Sequence, residues 1–100
     1  MNDQEINRKL ASIWWRYVRV YFGSGDVGVA IKLEGPFRKF DFMDWSVAGP
    51  IAQRYDCFPF NNSIGWCAYV ERASRSVYSD TPQKAIALAV IAAHEAGVLK

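Results

Sequence analysis

What most constrains this chain lies near its C-terminus, where residues 79–97 carry both end signals of a helix around an apolar run. Thr81 can accept, through its hydroxyl, one of the first-turn N–H groups that have no partner within a helix, and Pro82 fits the next position, where a missing N–H costs nothing. Gly97 can take the left-handed conformation that closes the far end. Between them Ile86, Ala89, Val90 and Ala93 keep the i, i+3, i+4, i+7 spacing, yet residues 85–93 are apolar without a break. A helix that is apolar nearly all round must be covered on two sides. The second cover comes from the rest of the chain or, as the alternative, from a second copy in a homodimer.

One hundred residues, 51% hydrophobic and 15% aromatic, predict a folded chain with a single α+β domain over residues 1–100. Twelve Lys and Arg stand against ten Asp and Glu, a net charge of +2, so charge balance alone points neither to a polyanion partner nor to mimicry of one. No apolar run reaches the roughly 18–20 residues that span a bilayer, and the opening residues 1–6 are polar and acidic where a secretion signal is basic and then apolar. The expectation is a cytoplasmic protein without a membrane partner. In that reducing compartment Cys57 and Cys67 are expected to be two inert, buried thiols.

Asn2 or Asp3 can cap a first helix, along which Ile6, Leu10, Ile13 or Trp14, Tyr17 or Val18, and Tyr21 keep a helical spacing. Residues 14–22 are also dense in aromatic and β-branched side chains that favour a strand; the absence of Gly, Pro or Asn before Gly23 favours one helix to about Phe22. Residues 23–28 read as a turn, although they formally match G-x-G-x-x-G. That fingerprint needs a helix after its glycines to hold a pyrophosphate, whereas the next residues, Val29 to Leu33, have a strand pattern, so no nucleotide cofactor is expected. Asp41 or Asp44 can cap a second helix with Val47, Ile51 and Tyr55 on one face; Pro50 predicts that its regular part runs from near Gly49 to before Cys57. Residues 58–63 read as a loop. Residues 65–71 form a strand with Trp66, Ala68 and Val70 on one side, residues 73–75 a short connection, and residues 76–78 a strand that pairs back. The class is α+β, a small antiparallel sheet packed with helices.

The succession of an acidic cap, a helix with Gly49, Pro50, Ile51 and Ala52, a loop, Trp66, Cys67 and Ala68, then Tyr78 to Pro82 and Ala85, Ile86 and Ala89 resembles a known group. These residues are similar to the small bacteriophage and prophage proteins of the phage ABA-sandwich and NinX-like domain family, most clearly over residues 41–93, and Asn2 to Arg8 look like their opening. The resemblance implies a helix–sheet–helix sandwich of phage origin, acting in the host cytoplasm, with no catalytic residues to carry over. Small phage proteins of this kind often bind a host protein, including components of defence such as CRISPR–Cas complexes. What the resemblance implies is therefore binding to a host or phage protein, with anti-CRISPR-like inhibition of a defence complex as one such role.

No enzyme signature emerges from the residues. His94, the single histidine, has Glu95 beside it, but neighbours on a helix point about 100° apart and cannot address one atom. His94 with Cys57 and Cys67 does not make recognisable zinc spacing, and no other base of ordinary pKa stands ready for a Ser or Cys nucleophile, so neither metal nor cofactor is expected. Two clusters remain. Trp15, Arg16 and Arg19, with Arg8 upstream, are of the types enriched at protein-binding hot spots, the alternative being that such aromatics complete a small core. Phe37, Arg38, Lys39 and Phe40 interleave rings with charge, as binders of single-stranded nucleic acid do, and make nucleic acid the alternative partner.

Overall fold

The computed structural model of the chain describes residues 2–21, 23–32, 34–70 and 77–97. Sequence expectations that extended to Phe22, Leu33, Glu71 and residues 73–76 lie outside them. The fold is α+β, with three helices and two three-stranded antiparallel sheets where one sheet was expected. The chain divides into two compact units, Met1–Asp41 and Phe42–Lys100.

In the first unit, α1 (Asp3–Trp14) begins where the Asn2 side chain accepts a 2.8 Å bond from the Glu5 N–H, and it buries Ile6, Leu10 and Ala11. The helix does not run on to Phe22. It stops at Trp14, Trp15 is already extended at φ −120° and ψ 145°, and Tyr17–Val20 forms β1. Tyr17, Val18 and Val20 lose rotamer freedom against a preceding helical turn and gain a cross-strand partner instead, so pairing overrides the uninterrupted run. That partner is β2 (Val27–Ala30), in the register Tyr17↔Ala30 and Arg19↔Gly28, and β3 (Arg38–Phe40) pairs on its other side with Gly28↔Lys39 and Val27↔Phe40. The strand β3 was not expected from sequence. The glycine segment is a hairpin connection between antiparallel strands, closed by a 2.8 Å bond from the Tyr21 N–H to the Asp26 carbonyl; the expected strand is present but starts at Val27, inside the expected turn, and ends at Ala30. Helix α1 packs on β1 and β2, and Val20 lines a cleft with Asn2, Gln4, Glu5 and Arg8; the sheet face that carries Val20, Val27 and Phe40 is therefore the one turned to α1.

In the second unit, Asp44 caps α2 (Trp45–Arg54), accepting from both the N–H and the hydroxyl of Ser46, and those bonds hold its carboxyl below the usual range. The helix starts four residues before the expected Gly49. Pro50 removes the one bond to the Ser46 carbonyl, and with that cap in place the turn before it survives. Its C-terminus is a Schellman closure: the Cys57 N–H reaches the Ala52 carbonyl at 2.8 Å, the Asp56 N–H reaches Gln53 at 3.4 Å, and Asp56 sits at φ 52°. Glycine is the usual residue there, since a Cβ crowds the left-handed backbone and a carboxylate faces the helix's negative end. Asp56→Gly is accordingly expected to raise stability by about 1 kcal/mol, read as a shift of the urea midpoint; a fall would contradict this strain.

The second sheet is β4 (Phe60–Asn61), β5 (Trp66–Ala68) and β6 (Val77–Ser79), so part of the expected 58–63 loop is a two-residue edge strand. Helix α3 (Pro82–Glu95) has the expected ends: Thr81 Oγ1 accepts from the Lys84 N–H at 3.3 Å, and Gly97 adopts φ 77° with its N–H on the His94 carbonyl. It packs on β5 and β6 and also on α2, and Ala85, Ile86, Ala87, Ala89, Val90, Ile91 and Ala93 are all buried within a single chain. No second copy is needed to cover them. Among the described residues no helix is long and apolar enough to cross a membrane.

Candidate binding face

The first unit's sheet has an outer face built by register. Residues paired across strands share a face, and a strand alternates faces residue by residue, so Arg19, Gly28 and Lys39 form one row. Tyr17 and Tyr21, two positions either side of Arg19, and Phe37, two before Lys39, extend it on the same side. The Arg19 guanidinium lies 4.3 Å from the centre of the Phe37 ring, and that of Arg16 lies 5.7 Å from the Tyr17 ring. Gly28 leaves room for the arrangement. A Cβ at that position would come within 3.1 Å of the Tyr21 ring and 3.4 Å of the Phe37 Cβ, so the central strand carries no side chain where the Tyr21 ring and the Phe37 Cβ approach it.

This face recombines the clusters read from sequence. Arg19 comes from one, Phe37 and Lys39 from the other, and Arg16 stands at the edge. The remaining members go elsewhere. Phe40 is 2% exposed and belongs to the core, and Arg38, paired with Val29, points to the opposite side of the sheet from Lys39. Arg8 lies in the cleft of about 380 Å³ on the α1 side with Val20, 3.9 Å from Glu5 in an exposed pair of the kind that contributes little. Trp15 is half-buried at the end of α1, its N–H on the Ala11 carbonyl at 2.7 Å. Tyr17, Tyr21 and Gly28 were not singled out from sequence; the period-two row Tyr17, Arg19, Tyr21 is the signal that could have found them.

Charge follows the same division. Residues 1–41 hold seven Lys and Arg against five Asp and Glu, residues 42–100 five against five, so the whole excess of +2 belongs to the unit with this sheet. Asp26 and Asp41 lie beyond the last strand pair at the turn end, which makes the surface mixed in sign rather than uniformly basic.

The other candidates gather no chemistry. His94 is exposed in the last turn of α3, and among the described residues no three His, Cys, Asp or Glu side chains converge on a metal-sized site. Cys57 and Cys67 are free and buried, and burial, with the Cys67 charge as a smaller cause, pushes the Cys57 thiol up to about 12. A thiol raised this far stays protonated while the unfolded chain's thiol, near 9, ionises. Its contribution to stability is thus fully present below about pH 9 and is lost as pH rises from there toward 12. Cys57 is expected to resist N-ethylmaleimide in the native protein at pH 8 and to react in denaturant; rapid native labelling of Cys57 by mass spectrometry would contradict its burial.

No protein family model matches the chain, and comparison with curated proteins and with solved structures gives no match either.

Proposed function

We propose that this chain is a small non-enzymatic protein of phage or prophage origin that works in the host cytoplasm by binding a host or phage protein, inhibition of a defence complex being one such role. The observation that supports the binding is the Arg19–Phe37 stack on the face where Gly28 leaves the central strand bare. Arginine and aromatic side chains make large, orientable contacts that also hydrogen-bond, and a stacked guanidinium keeps its edge donors free for a carboxylate. The phage origin is supported by the resemblance over residues 41–93. Two free, buried cysteines fit a reducing compartment.

Capture from extracts of infected cells tests this reading. Tagged wild-type protein is expected to retain a defined partner, Arg19→Glu to lose it, and Arg54→Glu, on the exposed end of α2, to keep it. Equal retention by both variants would remove the face from consideration. A second reading, single-stranded nucleic acid, is favoured by one observation, that Lys39 shares this face with Phe37 and Tyr21. The mixed sign of the surface argues for a protein partner. Binding of short DNA or RNA that collapses with rising salt would transfer the face to nucleic acid.

A further inference from the structure

The second unit holds a pocket of about 270 Å³ lined by Asp56, Phe58, Phe60 and Tyr69, well away in sequence from the Arg19 face. Its rings are not core. Phe58, Phe60 and Tyr69 are 57%, 46% and 47% exposed, an unusual outlay of aromatic surface for one short segment and a neighbouring strand end. Phe60 and Tyr69 meet edge to face, with centroids 6.4 Å apart and planes at 80°, so two walls of the pocket stand nearly perpendicular. Among the described residues the remaining lining side chain is a carboxylate, Asp56. Among the described residues nothing donates a hydrogen bond to it, and it is carried by the residue at φ 52° that closes α2, a position where glycine is easier.

We infer that this pocket binds a quaternary ammonium group. Ring faces present negative potential, a trimethylammonium head is too weakly hydrated to lose much on leaving water, and the Asp56 carboxylate matches its positive charge. An uncharged apolar ligand would use the rings but not Asp56; a primary ammonium would retain its water shell more strongly. The strained aspartate is then explained by what it does in the pocket, since its side chain is what glycine would lack. The shared chemistry of a choline headgroup and of a trimethylated lysine is what the pocket recognises, and this site is independent of the Arg19 face.

The experiment is titration of the ¹⁵N-labelled chain with choline, with N-acetyl-trimethyllysine amide, and with 3,3-dimethylbutan-1-ol, the neutral isostere of choline. Expected are saturable shifts of the amides of residues 56–58, 60 and 67–70, with at least one of the two cations bound about 10-fold more tightly than the neutral alcohol. The tighter cation identifies the source of the headgroup. Asp56→Asn keeps a residue that tolerates the left-handed backbone and is expected to lose most of the preference for cation over alcohol. Tyr69→Ala is expected to abolish saturable binding. Equal binding of alcohol and cations, shifts confined to other residues, an Asp56→Asn variant with undiminished preference, or no saturation by either cation at roughly 50 mM would each overturn the assignment.

Discussion

Truncating either Ile86 or Ile91 to alanine is expected to remove about 2–5 kcal/mol of stability, the range for deleting a fully buried aliphatic side chain whose surroundings cannot collapse. Both are essentially sealed, at 1% and 2% exposed, and five positions apart on α3 they point about 140° from each other. They cannot lean on the same neighbour. A helix covered on one side would charge the full cost for one substitution and little for the other, whereas α3 packs on β5 and β6 and on α2. Against a typical total of about 5–15 kcal/mol, either change should lower the melting temperature by several degrees at least. Leu88→Ala, at a half-buried position about 60° round the helix from Ile91 and facing away from Ile86, is expected to lose less than either. Circular dichroism during urea unfolding measures all three; a loss under about 1 kcal/mol at Ile86 or Ile91 would show α3 covered on one side only.

The second large effect concerns binding. Once a partner is in hand, Arg19→Ala and Phe37→Ala are each expected to weaken it by roughly 2 kcal/mol, about 30-fold, as central arginine and aromatic contacts do. The double variant should fall short of the sum by about 0.5–1 kcal/mol, because removing Phe37 already unseats the guanidinium that stacks on it at 4.3 Å. Strict additivity would mean that the stack has no part in binding. Arg54→Ala, in the other unit, is the control and should leave affinity unchanged.

How much of the fold was legible in the chain depends on how local each signal is. Thr81, Pro82 and Gly97 mark α3 through contacts within one turn of themselves, and both ends fell where those residues placed them. The strand from Trp66 and its return at Val77 to Tyr78 carried β-branched and aromatic residues on both sides of a connection, which a hairpin needs. The first 41 residues were harder. Nothing in the run before Gly23 interrupts a helix, and what ends α1 at Trp14 is a partner strand later in the chain. The short β3 and β4 have no pattern long enough to announce themselves and exist through pairing to β2 and β5. The binding face was half legible for the same reason: residue types flagged Arg19, Phe37 and Lys39, but register alone separates Lys39 from Arg38 and Phe40, and register is a property of two strands. The αL residue Asp56 was invisible, since glycine, the usual marker of a Schellman end, is absent there.

Hydrogen exchange of the free and partner-bound chain, read amide by amide in β1, β2 and β3 and in α3, tests most directly whether recognition is the work of the Arg19 face. Expected is slowed exchange over residues 17–21 and 37–40 on binding, with α3 protected equally in both states because it is already sealed. Protection that appears instead on α3 or elsewhere in the second unit, with residues 17–21 and 37–40 unchanged, would contradict it.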